Sequence, residues 1–298
     1  MNAETIAKAL GGRKAGGGWT ARCPAHHDRK PSLSICDADD GTVLVRCHAG
    51  CGQSDVIAAL QSRHVWNNDD RRHGPRGHKS NHSVANKPDE DTRKRIEAAL
   101  ALWRATQPAN GTLVERYLRS RGLHDVPPSM LRFHAGLRHP SGGLWPAMVA
   151  LVTSGVDDAP IAIHRTFLAR DGAGKAQVEP SKMMLGPCRG GAVRLAPIGD
   201  VLMVGEGIET SLAAMQASGR PAWAALSTSG LRALDLPRDA RDVIVLADGD
   251  EPGEAAARDC ARRWTREGRR TRIARPPWGM DFNDLLMRRA TLNQEDAQ

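Results

Sequence analysis

The sequence predicts an α/β fold: a mostly parallel sheet flanked by helices, preceded by a small cysteine-bearing ribbon and an α+β segment. Three observations predict it. From residue 201 onward, strand-like apolar runs alternate with helical patterns, which argues for a parallel sheet with helices on its faces. Residues 19–60 instead carry two cysteine clusters around two short strand-like runs. Between these regions, residues 61–90 have almost no apolar periodicity and are rich in His, Asn, Arg and Gly, the composition of a linker.

Taken in order, residues 3–10 read as a short helix. The stretch "GGRKAGGGW" lacks the Gly-Lys-Ser/Thr ending of a phosphate-binding loop and reads as a flexible lead-in. "SLSI" and "TVLVRC" read as strands, and 54–60 as a helix with Ser54 as its cap. The irregular histidine spacing in 61–90 favours a linker over a metal tract. Helical patterns resume at 91–106 and 112–121, followed by the strands "WPAMVALVTS" and "IAIHRTFLA". Then "VLMVGEG", "AWAALS", "DVIVLAD" and "RTRIAR" read as strands, with helices at 208–218, 229–235, 253–267 and 281–289. The expected divisions are 1–60, a linker at 61–90, an α+β part at 91–197 and a sheet domain at 198–298.

The chain has 298 residues and a formal net charge of +8, with Arg far ahead of Lys. That balance favours a polyanionic partner, most simply nucleic acid. No apolar run reaches the ~18 residues of a membrane span, and the first 20 residues lack a signal-peptide pattern. A cytoplasmic protein is expected, with no membrane partner. In that compartment six cysteines point to ligands or core thiols rather than disulfides.

Cys23 and His26 in "CPAHHD" have two residues between them, and Cys47 and Cys51 in "CHAGC" have three. Two such pairs can close a tetrahedron around Zn²⁺, which thiolates favour over harder ions. His27 and His48 are rival ligands; the shorter gap favours His26, and the stronger thiolate ligand favours Cys51. Cys36, Cys188 and Cys260 are expected to be core or surface thiols.

Acids stand at the ends of two strands: Glu206 after "VLMVG", and Asp248 and Asp250 after "VIVLA". Asp281 and Asp284 open the last helix. In an open parallel sheet ligands bind outside the carboxyl ends of the strands. If the two acid-ending strands are neighbours, the carboxylates converge on one crevice and suit Mg²⁺ or Mn²⁺, which would in turn hold phosphates. The alternative for each acid is a helix cap.

These residues carry a resemblance. Glu206 after one strand and Asp248-x-Asp250 after a later one resemble the Toprim domain of bacterial primases, topoisomerases, OLD-type nucleases and RecR-like proteins. "CPAHHDRKPSLSI" and "VRCHAGC" resemble the CHC2-type zinc ribbon of DnaG-type primases. "LRFHAGL", "HRTFLARDG" and "SKMMLGP" resemble the segments between ribbon and Toprim. "KMMLGPCRGGAVRL" with "VGEGIETSLAA" is most similar to the short Toprim proteins of phages, plasmids and integrative elements. The resemblance implies a Toprim-type sheet behind a CHC2-like ribbon. It makes Glu206 a metal ligand or general acid/base, Asp248 and Asp250 Mg²⁺ ligands, and Asp281 or Asp284 the third acidic position. Arg165 and Lys182 would face nucleotide or template. It implies a DNA primase-like nucleotidyltransferase that makes RNA primers from ribonucleoside triphosphates on single-stranded DNA, with a replicative helicase on a separate chain.

Rival readings are weaker. A type IA topoisomerase needs a tyrosine nucleophile, and the single tyrosine, Tyr117, sits in the helical run "LVERYLRSRG" before the sheet. Toprim nucleases usually bring an ATPase module, and no Walker motif is present. A DNA-binding or nuclease protein of the Toprim family without primer synthesis is the remaining alternative.

Overall fold

The structure is a computed structural model that describes residues 2–15, 17–26, 28, 31–37, 43–49, 51, 53–63, 65–66 and 89–295. It divides into two compact units, Met1–Ala85 and Asn86–Gln298.

In the first unit, helix α1 (Ala3–Ala9) begins at Asn2, whose Oδ1 accepts from Thr5 N at 2.9 Å. An antiparallel sheet follows in chain order: β1 (Arg13–Ala15), β2 (Gly18–Ala21), β3 (Leu33–Asp37) and β4 (Val43–Cys47). The glycine-rich stretch expected as a lead-in therefore supplies strand. Lys14 pairs with Trp19, and β2 sets Ala21 against Leu33 and Trp19 against Ile35. Pairing to β3 supplies the backbone partners that the composition alone did not reveal. Helix α2 (Gln53–Ser62) starts one residue before Ser54, whose side chain lies outside the described residues. Its Val56 and Leu60 pack with Ile6, Leu33 and Ile35, and Val65 and Trp66 join the same cluster. Packing thus continues beyond residue 60. Most of the stretch expected as linker, 67–88, lies outside the described residues.

The second unit opens with α3 (Glu90–Arg104), capped by Asp89, and α4 (Leu113–Ser120), capped by Thr112. The strands are β5 (Gln107–Pro108), β6 (Leu131–Arg138), β7 (Leu144–Ser154), β8 (Pro160–Phe167), β9 (Lys182–Leu185), β10 (Gly191–Arg194), β11 (Leu202–Gly205), β12 (Ala222–Ala224), β13 (Asp242–Leu246) and β14 (Arg270–Ala274). They form one ten-stranded sheet in the order β14-β13-β11-β12-β10-β7-β6-β5, with β8 and β9 continuing from β7. Strands β14, β13, β11 and β12 are parallel. Strand β10 joins them to the antiparallel part: it pairs with β12 and, through Gly191 and Ala192, with the last two residues of β7.

The remaining helices are α5 (Ile208–Ser218), α6 (Thr228–Ala233), α7 (Glu251–Arg266) and α8 (Phe282–Glu295). Leu202 and Val204 of β11 face Leu231 of α6 and Ala256, Cys260 and Trp264 of α7. Met203, on the opposite face, packs with Ala214 of α5 and Phe282 of α8. Helices therefore cover both faces of the parallel part, and all four residues of β11 are buried, as a near-continuous apolar strand requires.

Candidate metal centres

Cys23, His26, Cys47 and Cys51 are brought together in the first unit, with one ligand atom from each lying within 4.8 Å of the others. Bonds of ~2.3 Å at tetrahedral angles put zinc-bound sulfurs ~3.8 Å apart. His26 Nδ1 lies 3.2 Å from Cys51 Sγ and 3.9 Å from Cys47 Sγ. The other ring nitrogen, Nε2, is 3.7 Å from Asp28 Oδ1, the carboxylate partner that orients a ligating imidazole. Asp28 also fixes the turn: its Oδ2 accepts from Cys23 N at 2.7 Å and Ser32 Oγ at 2.6 Å. Burial and the neighbouring thiols push Cys51 up to about 12, and burial raises Cys23. Three sulfurs this close cannot all ionise without a cation, so the donor set fits Zn²⁺. His48 stands apart from the cluster, its Nε2 2.7 Å from Ser34 Oγ. His27 lies outside the described residues.

The acids lie in the second unit. Strands β11 and β13 are parallel neighbours, with Val204 opposite Val245, so Glu206 and Asp248 leave the sheet side by side. The helix-cap alternative holds for some of the acids. Asp250 Oδ1 accepts from Gly253 N at 2.7 Å and caps α7. Asp281 Oδ1 accepts from Asp284 N at 2.8 Å, while Asp284 Oδ2 accepts from Asp281 N at 3.0 Å, a reciprocal cap on α8. Asp248 caps nothing, and α5 begins at Gly207 without a side-chain cap, whereas the Glu206 carboxylate accepts from the backbone N–H of Thr228 in the first turn of α6. Asp248 Oδ1 is buried and has no hydrogen-bond partner.

Burial, then the charges of Asp248 and Asp250, raise Glu206 to about 7. Burial, then Asp281 and Asp250, raise Asp248 to about 6. Asp281 is thus the member of its pair that acts on Asp248. Among the described residues, these acids are not gathered as closely as the cysteine cluster. Mg²⁺ does not need such a cage: it keeps several waters and commonly takes one or two carboxylates plus substrate phosphates. An orphaned buried carboxylate oxygen beside a second acid whose charge burial disfavours fits that ion. Gly249, between the two aspartates, donates to Met280 O at 3.0 Å. A Cβ there would strike the Met280 and Pro277 carbonyls, so this close approach needs glycine.

Lys182 lies on this side of the sheet. It pairs with Thr166, and its charge lowers the pKa of both Glu206 and Asp248. Arg165 does not. Strand alternation sets it opposite Met183, on the face that packs on α3, where its Nη2 donates to Met184 O at 3.3 Å. Arg165 and Lys182 therefore do not share one surface.

Sequence reading missed Glu209. It is 5 % exposed in the first turn of α5, accepts from Tyr117 Oη at 2.6 Å, and meets Lys182 Nζ at 3.3 Å and Lys175 Nζ at 3.8 Å. Burial works to raise its pKa, but Lys182 and Lys175 outweigh it and hold Glu209 at about 2. The signal was a charge on a helix face otherwise made of Ile208, Leu212 and Ala213. Tyr117, expected as a helix-face residue, is buried beneath this network.

Residues 201–291 match the model of the Toprim domain. They form a Toprim domain. Glu206, Asp248, Asp250, Asp281 and Asp284 all fall within it. The preceding residues 93–195 match a domain of unknown function, DUF7146. No curated protein matches the chain. Among solved structures, a DNA primase domain from Pseudomonas aeruginosa is similar at 17 % identity, covering 67 % of this chain and 78 % of that one, with a TM-score of 0.43. The Aquifex aeolicus primase, zinc-binding and RNA polymerase domains, is similar at 13 % identity over 98 % of this chain and 81 % of that one, TM-score 0.39. The primase fragment of the bacteriophage T7 primase-helicase protein is similar at 14 % identity over 92 % and 98 %, TM-score 0.38. Among the described residues of this Toprim-containing chain, no helix is long and apolar enough to cross a membrane.

Proposed function

We propose that the chain is a DNA primase-like nucleotidyltransferase that makes short RNA primers on single-stranded DNA, for replication of phage, plasmid or mobile-element DNA. The observation that carries this reading is the buried, unpartnered Asp248 Oδ1 beside Glu206 on adjacent parallel strands of a Toprim domain. Glu206 and Asp248 would hold Mg²⁺, with Asp250 and Asp281 as outer carboxylates and Asp284 acting through its cap on Asp281. When bound, Mg²⁺ supplies charge neutralisation at the triphosphate and a lowered pKa at the primer 3′ hydroxyl. As the alternative to ligation, Glu206, raised to about 7 in the metal-free site, would accept that hydroxyl proton near neutral pH. Lys182 presents its ammonium on the same side, steadied by Glu209, and suits the phosphates of a ribonucleoside triphosphate.

Cys23, His26, Cys47 and Cys51 would hold Zn²⁺, which would staple the ribbon. The net charge of +8 supports contact with a template backbone, and Arg165 could serve the template only from the α3 face. The protein would work in the cytoplasm beside a separate helicase.

Incubation with single-stranded DNA, labelled ribonucleotides and Mg²⁺ tests the reading. Short RNA products from the wild type, absent with Glu206→Gln, are expected. Tight DNA binding with no product under any divalent ion would instead favour a Toprim DNA-binding protein.

A further inference from the structure

Trp278 is 74 % exposed and is the only aromatic side chain among the described residues that is exposed to this extent. The other tryptophans are covered. Trp103, Trp145, Trp223 and Trp264 each carry an arginine over the ring, from Arg132, Arg170, Arg194 and Arg263. Trp19 and Trp66 pack against the ribbon core. In a chain this rich in arginine, one bare indole is a departure from the molecule's own habit. Its solvent-exposed apolar area is also a standing cost that a ligand would remove.

The indole is not on a loose loop. Pro276 and Pro277 precede it, and Gly279 follows at φ +77. Gly279 N donates to Gly249 O at 2.6 Å, and Gly249 N donates to Met280 O at 3.0 Å. The segment is therefore tied to the residue between Asp248 and Asp250, and Asp281 follows three positions later. Apart from its chain neighbours, nothing lies within 4 Å of the position a Cβ would take at Gly279, and the indole itself is open to solvent.

We propose that Trp278 is a stacking platform for a nucleobase at the edge of the acidic crevice. The inference rests on the reading of that crevice as a nucleotide site, because the backbone bonds at Gly249 bring the Trp278 segment beside Asp248 and Asp250, the groups that would hold phosphates. Every base offers a π-face, so such a platform tolerates any base. The base could belong to an incoming ribonucleotide or to an unpaired template strand, and the chemistry of the contact is the same.

The test uses the full chain as wild type, Trp278→Ala, Trp278→Leu and Trp278→Phe. Calorimetric titration in Mg²⁺ uses three probes: ATP and GTP, a short oligothymidylate, and inorganic tripolyphosphate, which has no base. Trp278→Ala should lose about tenfold in affinity for at least one base-bearing probe and none for tripolyphosphate. Trp278→Leu, apolar but not planar, should lose a similar amount, and Trp278→Phe should retain most of the wild-type affinity. Loss on ATP and GTP assigns the base to the incoming nucleotide; loss on oligothymidylate alone assigns it to the template. Unchanged affinity for all probes, or an equal loss on tripolyphosphate, overturns the proposal. A wild type that binds bases through Trp278 but makes no primers would refute the primase reading and leave the platform standing. Primer synthesis with Trp278-independent binding would do the reverse.

Discussion

Glu206 and Asp248 sit above their ordinary values of 4.5 and 3.8, at about 7 and about 6. The folded chain therefore keeps protons there that the unfolded chain has already released. The stabilisation these groups give is present in full below about pH 4 and is lost as pH rises through 6 to 7. On their account metal-free protein should be less stable at pH 8 than at pH 5, by an amount on the order of 2 kcal/mol, and so melt at a lower temperature. Glu206→Gln should flatten that slope, and Mg²⁺ at pH 8 should recover the lost stability. A slope identical in wild type and variant, measured by scanning calorimetry, would count against the coupling. Glu209→Gln should act in the opposite sense, removing the counter-charge of two half-buried lysines and costing about 1–3 kcal/mol at neutral pH. At this scale the sequence was legible where acids end apolar strands. It was not legible at Glu209, because its partners Tyr117, Lys175 and Lys182 are far away along the chain.

In the ribbon, Cys23, His26, Cys47 and Cys51 come together as candidate metal ligands. Cys47→Ser should release Zn²⁺ and unfold the first unit, since metal binding and folding are linked in so small a sheet. Asn86–Gln298, with its own core, should melt unchanged. Metal analysis with thermal denaturation checks both, and full zinc occupancy in Cys23→Ser and Cys47→Ser would refute the ligand set. Helices α4 and α6 begin at capping residues visible in the sequence, Thr112 and Ser227, whereas α5 starts without one. Strands β11 and β13 were legible as apolar runs. Strands β1, β9 and β10 were not, being three or four residues long and defined by pairing rather than by pattern. Which face Arg165 and Lys182 each take was not legible either, because only the β8–β9 register tells it.

Across the whole second unit, β10 makes one sheet of two parts that the sequence suggests are separate. Lys182 reaches the Toprim acids from β9 because the antiparallel strands run on from the parallel ones. A cut between 195 and 201 should therefore give fragments that do not fold independently: β10 would lose β12, and the Toprim sheet would gain an open edge. Soluble, cooperatively melting fragments from both sides would contradict this. The proposed role of Asp248, whose Oδ1 is unpartnered beside Glu206, is to serve a metal ion and not the fold. Its most direct test is primer synthesis by Asp248→Ala on single-stranded DNA with Mg²⁺ and ribonucleotides, alongside its melting temperature and DNA affinity. Product should disappear while DNA binding persists and metal-free stability is equal to or slightly above wild type. Wild-type levels of primer from Asp248→Ala would contradict it.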